Sequence, residues 1–95
     1  MTSTDSALVT VVTARGCHFC EDARQALAAL GRVYPLTVEE IAAHSAAGQA
    51  LVLEHGTGMF PLVLVGGAFF SAGRLPRRKL ARLVGQEAAT VARAR

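Results

Sequence analysis

Continuous apolar runs and helical stripes alternate along this chain. Residues 7–13 read ALVTVVT, a nearly continuous β-branched run that predicts a strand buried on both faces of a sheet. Apolar residues then recur at helical spacing and predict a helix that ends at Gly31. The residues of this stripe are Cys20, Ala23, Leu27 and Leu30. The pattern therefore predicts a central strand followed directly by a helix that packs on the sheet.

The middle of the chain predicts a second strand and a second helix. Residues 33–38 read VYPLTV, and Pro35 places this strand at a sheet edge because proline lacks the amide hydrogen that a central position uses. Residues 39–55 are alanine-rich, interrupted by Gly48, and predict a helix that stops at Gly56. One face of this helix is expected to carry Ala47, Ala50, Leu51 and Glu54.

The last third predicts a hairpin and a final helix. Residues 61–65 read PLVLV, another buried strand, and residues 68–71 return as a short antiparallel strand after the glycine pair 66–67. Pro76 suits the first turn of the final helix. The apolar face of that helix is expected to comprise Leu80, Leu83, Val84, Ala88 and Val91. A right-handed crossover makes the first two strands parallel neighbours.

Length and composition predict one domain. The 95 residues are 52% hydrophobic and 18% charged, which excludes extensive disorder, and we expect a single domain with a core from about residue 7 to residue 93. No apolar run approaches the roughly 18 to 20 residues that span a bilayer. The first five residues, MTSTD, lack the basic flank of a secretory signal. We therefore expect a cytoplasmic protein without a membrane association.

Charge is distributed unevenly along the chain. Residues 1–73 carry three basic and six acidic side chains, whereas residues 74–95 carry seven basic and one acidic. This asymmetry indicates either an anionic partner or a solvated basic helix face. No aromatic residues are interleaved with these cations, as they are in proteins that bind single-stranded nucleic acid. We expect no nucleic-acid partner.

The two cysteines form a Cys-x-x-Cys pair between the first strand and the first helix. The helix amino terminus stabilises a thiolate at Cys17, and Cys20, one turn later, can resolve a mixed disulfide that Cys17 forms. A Cys-ligated metal site is the alternative, but a closed zinc site needs four ligands. The other candidate ligands are His18, His44 and His55. His18 lies inside the pair, where its spacing disfavours joint ligation with both cysteines, and the other two lie in the predicted second helix, far from the pair in the expected fold. A non-catalytic module that docks an acidic partner is a further alternative.

Three motifs together resemble the glutaredoxins, members of the thioredoxin fold. They are the sequence CHFC at residues 17–20 after a hydrophobic strand, Phe60-Pro61 at the third strand, and Gly66-Gly67 at the following turn. The resemblance runs in order and spacing over roughly residues 8–84. It implies an α/β fold with a four-stranded mixed sheet of order 2-1-3-4 flanked by three helices. It also implies a thiol–disulfide oxidoreductase that reduces disulfides with both cysteines, Cys17 attacking and Cys20 resolving.

The resemblance also implies a substrate groove. Pro61 matches the family's cis-proline, and Phe60 matches the preceding residue, whose backbone bonds the substrate. Met59 is expected to line the same groove. Arg15 and His18 flank Cys17 and are expected to contact substrate, although His18 could equally be a solvated loop residue.

Arg74 marks a departure from the family. Glutaredoxins carry an acidic pair near this position that holds the amino end of glutathione, whereas this chain has Arg74-Leu75. A cation here attracts an acidic substrate or partner instead.

The expected partners are a disulfide-bearing protein or small thiol as substrate and an external electron donor. The sequence contains no metal, flavin or nucleotide motif, so no bound cofactor is expected. The donor could be glutathione, another low-molecular-weight thiol or a reductase. The protein is expected to be a monomer.

Overall fold

A four-stranded sheet with three helices forms the structure. The computed structural model describes the backbone of residues 6–94 and the side chains of residues 6–86. The elements, in chain order, are β1 Ala7–Thr13, α1 His18–Leu30, β2 Leu36–Ala42, α2 Ala46–His55, β3 Leu62–Val65, β4 Ala68–Ala72 and α3 Arg77–Ala94. The sheet order is β2-β1-β3-β4, with β1 parallel to β2 and antiparallel to β3, and β3 antiparallel to β4. The predicted order 2-1-3-4 is confirmed.

Helices cover both faces of the sheet, which explains the continuous apolar strands. Val9 and Val11 of β1 pack in one cluster with apolar residues of α1 and α3, whereas Val12 packs in a second cluster under α2. In β3 the alternation is the same, because Val63 and Val65 belong to the first cluster and their neighbours to the second. Successive side chains of a strand point to opposite faces, so both faces must be apolar.

The boundary between the second strand and the second helix differs from the prediction. Residues 33–35 lie in a turn, and β2 extends to Ala42, so residues 39–42, predicted as helix, are strand. Each of these residues pairs in parallel register with β1, as Glu40 does with Val11. The main-chain hydrogen bonds of the sheet outweigh the helical preference of this alanine- and glutamate-containing segment. An edge strand also tolerates the exposed Glu40 side chain.

Helix α2 buries a different face from the predicted one. The predicted face included Ala47, Ala50 and Glu54, which are exposed, whereas Leu51 is half-buried as expected. The buried residue of α2 is Gly48, predicted as an interruption. A Cβ at Gly48 would overlap the Ala42 carbonyl oxygen and would lie 2.9 Å from Ala43 Cα. The glycine therefore allows α2 to approach the end of β2 closely.

The hairpin and the last helix follow the sequence prediction closely. Gly66 and Gly67 have φ angles of 59° and 83°, the positive values that this two-residue turn requires. Helix α3 begins at Arg77 directly after Pro76, whose carbonyl accepts a hydrogen bond from the Leu80 amide. Of its predicted apolar face, Leu80 and Val84 are buried and Leu83 is half-buried. The last two predicted positions, Ala88 and Val91, lie outside the described side chains.

Candidate active site

Cys17 caps the amino end of α1. It lies in the extended region at φ −89° and ψ 109°, and its sulfur accepts a hydrogen bond from the Cys20 amide at 3.0 Å. The Cys17 carbonyl also accepts a bond from the Glu21 amide. The first sulfur thus faces the free amides and positive dipole end of the helix, as the sequence predicts.

The two sulfurs of the pair differ in their exposure. Cys17 and Cys20 are joined as a disulfide, with their Cα atoms 5.2 Å apart. Cys17 is partly exposed, whereas Cys20 belongs to the buried stripe of α1 and is 1% exposed. Only Cys17 is accessible to a bulky disulfide from solvent. The two cysteines therefore differ in how accessible their sulfurs are to a substrate.

The segment before β3 carries the three residues predicted to line a substrate groove, Met59, Phe60 and Pro61. The Phe60–Pro61 peptide bond is cis, as the resemblance implies, and Pro61 is buried. The Pro61 carbonyl accepts a bond from the Gly73 amide at 3.1 Å, which joins this segment to the loop before α3. Met59 is 60% exposed, and its side chain lies against Gly73. Met59 therefore presents an apolar surface to solvent beside the cis-proline.

Phe60 leaves its backbone free for pairing. It lies between the Thr57–Met59 turn and β3, and within the described chain neither its amide nor its carbonyl has a hydrogen-bonding partner. Its ring is half-buried and packs against the second cluster, which contains Leu62. Free main-chain amide and carbonyl groups of this kind can form hydrogen bonds with an incoming peptide strand.

The two arginines predicted to select substrate lie beside different recesses. Arg15 is exposed and lines a recess with His44 at the turn between β2 and α2. Arg74 lines a separate recess with Asp22 of α1 and the start of α3. His18 is exposed at the first position of α1. The structure therefore does not gather Arg15 and Arg74 around one anion.

A charged network that the sequence did not predict supports the site helix. Arg24 of α1 donates to both carboxylate oxygens of Glu40 on β2 and to Glu21 on its own helix. Thr13, at the end of β1, also donates to Glu40. The Arg24 guanidinium holds the pKa of Glu40 below its ordinary value, chiefly through its hydrogen bonds. Sixteen positions separate Arg24 from Glu40, so no local pattern signals this contact.

This network predicts an acid-dependent contribution to stability. A carboxylate whose folded-state pKa is lowered contributes stability above its unfolded pKa of about 4.5, and this contribution is lost as pH falls through the folded pKa. Between about pH 5 and pH 3, Glu40→Gln should therefore lose less thermal stability than the wild type does. Melting temperatures across this range test the prediction, and Glu54→Gln, at another exposed glutamate, is the matched control. Parallel curves for wild type and Glu40→Gln would contradict it.

Neither a metal cluster nor a membrane-spanning segment is found in the part of the chain that the structure describes. Across residues 6–86, no three side chains of the His, Cys, Asp and Glu types converge as a metal site would require. Among the described helices, none is long and apolar enough to cross a membrane.

The strand order, the cis-proline and the capped Cys-x-x-Cys pair define the thioredoxin-fold class of redox proteins. Within that class, the glutaredoxin family model matches residues 9–70, and the chain belongs to the glutaredoxin family. No curated protein is a significant match to the sequence. The family and the cysteine pair at disulfide distance support thiol–disulfide oxidoreductase activity in general.

Solved structures with similar folds are thioredoxin-like. Chloroplastic thioredoxin z superposes with a TM-score of 0.69 at 20% identity, covering 92% of this chain and 82% of its own. An uncharacterised thioredoxin-like protein from Clostridium perfringens has a TM-score of 0.69 at 9% identity, covering 86% and 71%. A mutant thioredoxin from Halobacterium salinarum has a TM-score of 0.66 at 18% identity, covering 90% and 78%. At these identities the likeness shows the fold.

Proposed function

We propose that this protein reduces disulfides by a dithiol mechanism in which Cys17 attacks and Cys20 resolves. The observation that carries the proposal is the asymmetry of the pair: Cys17 is partly exposed at the helix amino end, whereas Cys20 is buried beneath it. A nucleophile must reach the substrate, and a resolving thiol needs to reach only its neighbour.

The reaction begins with the reduced pair. The Cys17 thiolate attacks one sulfur of the substrate disulfide, so the substrate S–S bond breaks and a mixed disulfide forms as the first substrate thiolate leaves. The Cys20 thiolate then attacks the Cys17 sulfur and releases the second substrate thiolate. The substrate gains two electrons and two protons, and the protein is left with the Cys17–Cys20 disulfide.

Local groups favour the attack at Cys17. The Cys20 amide, which donates to the Cys17 sulfur at 3.0 Å, and the positive end of α1 stabilise negative charge on that sulfur. Glu21 follows in the first turn, but its carboxylate pairs with the guanidinium of Arg24. This ion pair offsets the negative charge that Glu21 adds near the thiolate.

The groove holds the substrate as an extended segment. The free amide and carbonyl of Phe60 form hydrogen bonds with the main chain of the residues next to the substrate cysteine. The exposed side chain of Met59 packs against the same residues. His18 and Arg15 contact the substrate on the Cys17 side. Neither the main-chain groups of Phe60 nor the apolar side chain of Met59 requires a particular side chain on the substrate. The groove therefore suits protein disulfides as well as small mixed disulfides.

An external donor returns the oxidised pair to the dithiol state. The donor supplies two electrons and two protons, and we propose a low-molecular-weight thiol or a reductase in this role. Arg74 is exposed and directly follows Gly73, whose amide donates a hydrogen bond to the Pro61 carbonyl. Because a cation repels the ammonium of glutathione, we expect glutathione to bind more weakly here than at an acidic position.

A donor comparison tests the proposal. Turnover of a small mixed disulfide is measured with glutathione plus its reductase and, separately, with a thioredoxin-type reductase, for the wild type and for Cys17→Ser. Turnover with at least one donor, lost in Cys17→Ser, is the expected result. Turnover that is equal in both proteins, or no single-turnover reaction of the reduced wild type with the substrate, would contradict the proposal.

A further inference from the structure

A recess rich in cations lies between α1 and the start of α3. We call it the basic recess, and it has a volume of about 710 Å³. Its charged lining residues are Arg74, Arg77, Arg78, Lys79, Arg82 and Asp22, and Leu75 and Pro76 complete the lining. All five cations are exposed. They come from the loop before α3 and from the first two turns of that helix, so one short segment of the chain concentrates half of the ten basic residues on a single surface.

Two contacts join the basic recess to the elements that carry the cysteine pair and the cis-proline. Arg77 forms an ion pair with Asp22, which lies on α1 two residues after Cys20. On the other side, the Gly73 amide bonds the carbonyl of the cis-proline, Pro61, so the loop that carries the recess is held against the substrate groove. A polypeptide bound in the groove can therefore continue onto the recess.

The charge of the basic recess is largely uncompensated within the described side chains. Asp22 pairs with Arg77, and between residues 6 and 86 no carboxylate lies within 4 Å of the other four cations. Lys79 also lies over the Phe70 ring, 5.8 Å from its centre. Three cations occupy the first turn of α3, where the helix dipole already disfavours positive charge. A bound anion would relieve this repulsion.

The form of the recess fits an extended carboxylate-bearing chain. In the Arg77–Asp22 pair, a guanidinium of this surface already donates a hydrogen bond to a carboxylate. Sites for small ligands are mostly apolar clefts that enclose their ligand, whereas the lining here is predominantly charged and exposed. The exposed cations are spread from Arg74 to Arg82. They can therefore pair with several anionic groups spaced along a flexible segment.

We propose that the basic recess docks an acidic segment of the protein whose disulfide the Cys17–Cys20 pair reduces. This inference rests on the proposed function and names its substrate class: a disulfide protein that carries clustered Asp or Glu near the reactive cysteine. The recess contributes through charge, raising the rate of productive encounter and selecting among disulfides of similar local structure.

Two synthetic peptides test the inference. Each carries one cysteine as a mixed disulfide with 5-thio-2-nitrobenzoate and differs only in its tail, which is four glutamates in one and four glutamines in the other. Release of the coloured thiol by the reduced protein is followed at low ionic strength. The glutamate peptide should react about tenfold faster, and this preference should fall below about twofold at roughly 0.5 M salt.

Matched charge reversals locate the effect. Arg78→Glu should reduce the preference for the glutamate peptide to about threefold or less, because it reverses a charge within the recess. Arg32→Glu makes the same change of net charge at the exposed turn after α1 and should leave the preference within about twofold of the wild type. An equal loss in both variants would overturn the inference, because net charge alone would then explain the preference.

The outcomes distinguish a failure of acidic docking from a failure of the proposed disulfide reduction. Equal rates with both peptides would overturn acidic docking and leave the proposed reduction standing. Failure of both peptides to react would overturn the proposed function and the inference with it. Cysteine-free tetraglutamate should inhibit the reaction with the glutamate peptide more strongly than an oligodeoxynucleotide with four phosphates. The reverse order would overturn the inference in favour of a nucleic-acid partner.

Discussion

Replacing Cys17 with serine is expected to lower the rate of disulfide reduction by at least about a thousandfold, to the level of the uncatalysed exchange. The partly exposed Cys17 sulfur is the atom that meets the substrate, and a serine hydroxyl is not ionised at neutral pH. The measurement is the single-turnover release of a coloured thiol from a small mixed disulfide by the reduced protein.

Cys20→Ala is the matched control and should behave differently. Its Cys17 still attacks, so the first release of thiol remains fast, but the protein stops at a mixed disulfide that mass spectrometry detects as an adduct. Alanine is chosen because Cys20 is 1% exposed, and a serine hydroxyl there would be buried. A fast first phase in Cys17→Ser together with its loss in Cys20→Ala would show that the roles are reversed.

Gly48→Ala is expected to lower the free energy of unfolding by about 1 to 3 kcal/mol. In an exposed helix interior the same change usually stabilises by about 0.5 to 1 kcal/mol, because glycine loses more backbone entropy on folding. Here the new methyl group would overlap the Ala42 carbonyl oxygen and crowd Ala43 Cα at 2.9 Å. These atoms belong to the main chain, so relief requires α2 and the end of β2 to separate.

Urea unfolding measures this prediction directly. Gly58→Ala is the control, because a Cβ there meets no heavy atom within 4 Å and its φ is not positive, so its stability should change by less than about 0.5 kcal/mol. If Gly48→Ala were as stable as the wild type or more stable, α2 would not be held against β2 by this close contact.

The position of the cysteine pair was easier to predict from the sequence than the boundary between β2 and α2. Local sequence patterns predict a feature correctly when the residues that form it are close together in the chain. The Cys17 cap, the glycine turn at 66–67 and the start of α3 after Pro76 are such features. Local patterns failed over residues 39–42, where helix-favouring residues are recruited into an edge strand. This segment is a strand because it pairs with β1, which lies far away in the chain. A local sequence pattern contains no information about that pairing.

The sequence by itself determined the class of fold, the positions of the cysteine pair on a strand–helix junction and the concentration of cations after residue 73. The cysteine positions and the charge follow from short-range periodicity, turn chemistry and counting, whereas the class of fold followed from the resemblance to the glutaredoxins.

Only the tertiary structure decided which distant groups meet. It brought Arg24 to Glu40 across sixteen positions and Arg77 to Asp22 across 55, and it turned Gly48 from an apparent interruption into the buried contact of α2. The physical reason is that side-chain contacts between elements depend on how helices dock on the sheet. That docking is set by the fit of whole apolar faces rather than by any single segment.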